Sequence, residues 1–246
     1  MEVQEAGAYM ISSLPKTLKC ENRVIEVKKL KYGELRSRKI ISRSNTKPTI
    51  KYPSWKARRM LHCESRNELN VFYLLDADPS IDFFSEQPLK IVYLEDGERK
   101  LHYPDVLVIR KNSFELLEVK EDLSKEPPSL FKRTQILKEG LQTFGYRYRL
   151  VCGRKVKEDN IKLSNAKYLL LHGRVKTNVI DYERTRRFFI ENKTAYWQSF
   201  LYEKETKNNL GILCNLILKG LICYDESLLI GASTQIYWND KVGVQT

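Results

Sequence analysis

The stretch from Leu89 to Lys120 constrains the fold more than any other part of the chain. Its apolar-rich runs, Leu89–Leu94, Leu101–Arg110 and Phe114–Lys120, are divided only by Glu95-Asp96-Gly97-Glu98 and by Lys111-Asn112. Links this short join antiparallel neighbours, because a parallel return needs a crossover of about a dozen residues. The spacing therefore predicts three consecutive antiparallel strands. Upstream, Leu69, Phe72, Tyr73 and Leu75 recur at helical spacing over 65–75, and Asp78-Pro79 ends that helix. Downstream, Pro127-Pro128 marks a loop, Leu130, Ile136, Leu137, Leu141 and Phe144 set a helix over 129–144, and Tyr146–Cys152 reads as a fourth strand. That order predicts an α/β fold, a central mixed sheet flanked by helices.

This arrangement gathers charged residues. Strand side chains alternate faces, so Glu118 and Lys120 emerge together while Val119 points the other way. The Lys111-Asn112 turn brings them back beside Asp105, which follows Pro104 in the preceding strand. Asp105 and Glu118, with the Val119 carbonyl, offer hard oxygen ligands suited to Mg²⁺, for which Mn²⁺ is expected to substitute. Such an ion stabilises charge on a phosphate and acidifies a bound water. Lys120 is placed to orient that water and to offset negative charge in the transition state. Glu68, on the same helix side as Phe72 and Leu75, completes the set as a further ligand, directly or through water. His62, His102 and His172 are isolated and show no metal-ligand spacing; His102 falls on the strand face opposite Asp105 and reads as structural.

Charge points the same way. The chain carries a net +12, but residues 1–60 hold 15 Lys/Arg against 5 Asp/Glu, while residues 61–120 reverse this with 7 against 12. Basic flanks around an acidic centre suit an enzyme acting on nucleic acid, since a simple DNA-binding module has little use for central carboxylates. Residues 1–53 read as a basic N-terminal arm, although Arg23–Leu30 has strand character. DNA affinity is expected mainly from Lys31, Arg36, Arg38, Lys39, Arg43, Lys47, Lys51, Lys56, Arg58 and Arg59. No apolar run is long enough to span a membrane, no secretory leader is evident, and no phosphate-binding loop occurs. The five cysteines are scattered without a CxxC pair, which leads us to expect a reducing cytoplasm.

The string SRNELNVFYLLDADPSIDFFSEQPLKIVY, followed by HYPDVLVI and ELLEVK, resembles TnsA, the endonuclease subunit of heteromeric cut-and-paste transposases. The order Glu, Pro-Asp, Glu-x-Lys is that of restriction-endonuclease-like nucleases, and the resemblance is good over roughly residues 50–155. It implies that Glu68, Asp105, Glu118 and Lys120 are catalytic, although some TnsA proteins carry Gln at the position of Glu118. It also implies Mg²⁺-dependent cutting of the 5′ strand at each transposon end in a bacterial, nucleoid-associated setting. The implied partners are a TnsB-like transposase and a TnsC-like AAA+ ATPase regulator, the latter engaged through the C-terminal part.

Residues 54–175 form the expected catalytic domain and 176–246 a winged-helix-like domain. Within the first, 155–175 reads as a short helix and an extended link. The second shows helical stretches near 181–191, 194–204 and 207–219, and then a small β-ribbon. Its near-neutral charge favours protein contacts, with Arg184, Arg186 and Arg187 as its phosphate-facing cluster. Two other readings stay open: a stand-alone restriction or repair nuclease of the same fold, and a non-catalytic DNA-binding adaptor.

Overall fold

The computed structural model describes residues 21–29, 49–202 and 209–240 and is a mixed α/β protein. Six of the expected DNA-binding cations, Lys31, Arg36, Arg38, Lys39, Arg43 and Lys47, lie outside the described residues. None of the described helices is long and apolar enough to cross a membrane.

The main sheet has the order β4 (Phe83–Glu86), β7 (Val106–Arg110), β8 (Ser113–Lys120), β9 (Tyr146–Cys152). The first three strands are antiparallel, and β9 runs parallel to β8. A second sheet places β5 (Leu89–Glu95) between β1 (Arg23–Lys29) and β6 (Glu98–His102). The β5–β6 turn uses Asp96 at φ 55 and Gly97 at φ 80, the left-handed pair that a two-residue hairpin requires.

The expected single strand Leu101–Arg110 is thus two strands in two sheets. Pro104 has no N–H to donate to a ladder, and the chain changes sheet across Tyr103-Pro104-Asp105. Asp105 sits at the entry to β7, its N–H donating to the Leu117 carbonyl at 3.0 Å.

Helix α1 (Arg66–Ala77) covers one face of the main sheet, where Val71, Phe72 and Leu75 pack with Phe84, Val106, Val108 and Leu117. Helix α2 (Pro128–Gly140) covers the other, packing Ile136 and Leu137 with Leu116, Tyr146 and Tyr148 and with Ile91 and Tyr93 of the second sheet. Pro128 opens α2 where a missing N–H costs nothing.

The hairpin of β2 (Ile50–Ser54) and β3 (Arg59–Cys63) spans the expected 53/54 boundary. Its anchor is Asp76 of α1, which is fully buried. Asp76 accepts hydrogen bonds from Tyr52 Oη (2.8 Å), Ser54 Oγ (3.0 Å), the backbone N–H of Trp55 (2.9 Å) and Lys56 (3.0 Å), and Arg174 Nη2 (3.1 Å). A buried carboxylate is tolerable only with such company.

The short helix α3 (Gly153–Glu158) is followed by α4 (Asn160–Gly173), capped by Asp159. The expected extended link is therefore helical, because Leu163, Ala166, Leu169 and Leu170 fall on one buried stripe. The C-terminal elements are α5 (Val179–Asn192), β10 (Thr194–Tyr196), α6 (Trp197–Leu201), α7 (Asn209–Leu218), β11 (Ile222–Tyr224) and β12 (Gln235–Trp238). Their sheet order is β10-β12-β11. Helix α4 supplies Leu169 and Leu170 to the core of this part, beside Phe189, Trp197, Phe200 and Leu213. Asn165 of α4 also holds the β11–β12 loop, donating to the Leu228 carbonyl (2.8 Å) and accepting from the Ile230 N–H (2.9 Å).

Candidate active site

Sequence places Glu118 and Leu116 on the α2 face of β8, two residues apart, and folding closes polar groups around the carboxylate. Glu118 is 4% exposed. Its Oε1 meets both Lys120 Nζ and Arg133 Nη2, each at 2.7 Å. Its Oε2 accepts from Tyr148 Oη at 2.5 Å and lies 2.9 Å from His102 Nε2, which is also 2.9 Å from Tyr148 Oη. Burial pushes this carboxyl up, but hydrogen bonds from His102, Lys120 and Tyr148 outweigh that and hold it well below the usual carboxylate range.

Asp105 lies one step beyond the Val106↔Leu117 pair of β7 and β8. Its Oδ2 accepts the Val119 N–H at 2.7 Å. Burial raises its pKa to about 7, the Val119 hydrogen bond opposes the rise, and the charges of Glu68 and Glu118 add to it. Lys120 pulls the other way. Glu68, Glu118 and Lys120 therefore all lie within electrostatic reach of Asp105.

Glu68 stands at the first turn of α1 and serves it as a cap. Ser65 Oγ accepts from the Glu68 N–H (3.1 Å) and donates to Glu68 Oε1 (2.9 Å), while the Glu64 N–H donates to Oε2 (3.0 Å). Burial raises its pKa and these hydrogen bonds oppose the rise. Gly153, which opens α3, lies so close to Asn67 that a Cβ there would fall 2.5 Å from the Asn67 Cγ. The start of α1 is thereby held against the carboxyl ends of β8 and β9, where Lys120 lies opposite Cys152.

Among the described residues, no group of three His, Cys, Asp or Glu side chains is arranged to hold a metal ion. The reason is local. Both oxygens of Glu118 are taken by four donors and both of Glu68 by its helix cap, which leaves only Asp105 Oδ1 uncommitted among the described residues. The donor types suit a hard cation, but their present arrangement does not.

Three members of this cluster escaped the sequence reading. His102 was expected on the far face from Asp105, yet it reaches Glu118 because the strand divides after it. Arg133 and Tyr148 carried a signal that could have found them. Arg133 follows Leu130 by three residues and precedes Leu137 by four, on the buried side of α2, and Tyr148 shares a face with Tyr146.

Of the expected DNA-binding cations that are described, Lys51 and Arg58 are exposed, but two are committed to the fold. Lys56 Nζ donates to the carbonyls of Leu75 and Asp78 at the end of α1, and its burial lowers its pKa to about 8. Arg59 grips the buried Glu86 with Nη1 at 2.9 Å and Nη2 at 2.6 Å. In α5, Arg184 and Arg187 are exposed, while Arg186 pairs with Glu183 at 3.6 Å.

No protein-family model and no curated protein matches the chain. Among solved structures, 39% of the chain is similar to 25% of protein VC1899 from Vibrio cholerae, with 20% identity and a TM-score of 0.26. The match thus spans a quarter of that protein's length, and a likeness so loose decides neither fold nor function.

Proposed function

We propose that this chain is a Mg²⁺-dependent DNA endonuclease, the TnsA-type subunit of a heteromeric transposase that cuts the 5′ strands at transposon ends. The reading takes the body as a restriction-endonuclease-like core and the α5-β10-α6-α7-β11-β12 unit as a winged helix. It takes the TnsB-like transposase and the TnsC-like ATPase as partners, the latter through that unit. The observation that carries it is the meeting of Asp105, Glu118 and Lys120 at the carboxyl end of β8, with Glu68 within electrostatic reach. Mg²⁺ would supply charge stabilisation and an acidified water, and Asp105 and Glu118 are the side chains suited to hold it. Lys120 offers its ammonium to the phosphate, and the Val119 N–H fixes the orientation of the Asp105 carboxylate.

The test is strand-specific cleavage of a transposon-end duplex in Mg²⁺ with transposase and regulator present. Asp105→Ala and Lys120→Ala should each lower 5′-strand cutting by roughly a hundredfold or more while 3′-strand cutting persists. The closed state of Glu118 favours one second reading, a non-catalytic DNA-binding adaptor. Undiminished cutting of both strands by both variants would establish it.

A further inference from the structure

The loop between β11 and β12 displays what a folded chain ordinarily hides. Leu228 and Leu229 stand side by side in it at 58% and 60% exposure. The backbone that carries them is fastened on both sides. Asn165 of α4, itself buried, commits both ends of its amide to the loop, donating to the Leu228 carbonyl (2.8 Å) and accepting from the Ile230 N–H (2.9 Å). Asp225 braces the approach: its Oδ1 accepts from the Ser227 N–H (3.0 Å) and hydroxyl (2.6 Å), and its carbonyl from the Leu228 N–H (3.2 Å). The two leucines are thus presented on a loop already ordered by folding, so a protein that covers them meets little further entropy cost.

Charge selects among the surfaces that could cover them. From Gly220 to Asp240 there is no Lys or Arg but three carboxylates, Asp225, Glu226 and Asp240, in a protein of net charge +12. An apolar tip can wedge between DNA bases, yet phosphates would repel the exposed Asp225 and Glu226 beside it. A second copy meeting this loop with its own loop would set the same carboxylates against each other. Lys162 of α4 lines the same cleft as Glu226 and offsets that charge in part, which leaves Asp225 as the stronger mark. The complementary cover is apolar at its centre and cationic at its rim. We propose that the Leu228-Leu229 loop is a docking surface for a different protein, one with an apolar pocket ringed by Lys or Arg. This rests on the reading above in taking the chain as one subunit of a heteromeric complex.

The test places a photo-crosslinking benzoylphenylalanine at Leu229 of the full chain, mixed with purified transposase, regulator and transposon-end duplex. It should crosslink to one of the two proteins and not to DNA or to a second copy. Leu228→Ser/Leu229→Ser should weaken association with the crosslinked protein by roughly tenfold or more. Its urea midpoint should stay unchanged, because both side chains already face water. Asp225→Asn/Glu226→Gln should reduce the salt dependence of the same association. Crosslinking only to DNA or to a second copy, no crosslink at all, or unaltered association of the double-serine variant would overturn the proposal. Wild-type association with either protein would then leave the transposase-subunit reading standing. Failure of the wild-type chain to associate with both proteins would overturn the two together.

Discussion

Asp76→Ala should lower the unfolding free energy by about 3–5 kcal/mol, the usual cost of removing one partner from a buried ion pair. The residue has no solvent exposure and receives five hydrogen bonds, from Tyr52, Ser54, two backbone N–H groups of the β2–β3 turn and Arg174. Alanine would strand all five donors, and only Arg174, at 29% exposure, could turn to water cheaply. Asp76→Asn should cost nearly as much, since its amide sets a donor against donors. Tyr52→Phe, which deletes one hydrogen bond, should cost only about 1 kcal/mol. Urea unfolding followed by tryptophan fluorescence measures this, with Trp55 in the affected turn. A loss below about 1 kcal/mol for Asp76→Ala would mean that the hairpin is held by its apolar contacts alone.

Asp105→Asn should act in the opposite direction. Burial and the neighbouring Glu68 and Glu118 raise the Asp105 pKa from 3.8 to about 7. Between those values the folded protein holds a proton that the unfolded chain has lost, so its stability falls as pH rises through that window. Asparagine keeps an acceptor for the Val119 N–H and carries no charge. In chelator at pH 8 the variant should therefore be more stable than wild type by roughly 2–4 kcal/mol. The gain should shrink as pH falls toward 4 and should be flat above 8. Urea midpoints at pH 5 and pH 8 decide it, and an equal gain at both would show that charge is not the cause. Under the proposed nuclease function the same substitution should abolish cutting in Mg²⁺, which would set stability against activity at one carboxylate.

The antiparallel pairs and the two flanking helices were legible because turn chemistry and periodicity agreed there. Asp96-Gly97 is a case in point, with left-handed backbone at both residues. The division of Leu101–Arg110 was not legible, because burial alternates straight through it. His102, Pro104, Val106 and Val108 are all buried and their neighbours less so, as in an unbroken strand. Strand β4 was missed for the opposite reason: Phe84, Ser85 and Glu86 are buried in succession and show no alternation. Helix α4 was misread because its triple-Leu run carries no obvious period until its partners on both sides are known. Local pattern placed Asp105, Glu118 and Lys120 near one another, whereas the other donors on Glu118 come from β6, α2 and β9. Such assemblies depend on tertiary pairing, which periodicity does not encode.

The position of β1 changes what the basic stretch after it is. Lys29 closes a strand paired with β5, and Ile50 opens one paired with β3. The cations from Lys31 to Lys47 therefore lie, in sequence, between two strands that are each held in a sheet of the folded body. Any polyanion already held at the body meets those cations at the high local concentration of an intramolecular partner. Part of the entropy of bringing the two together has then been spent in folding.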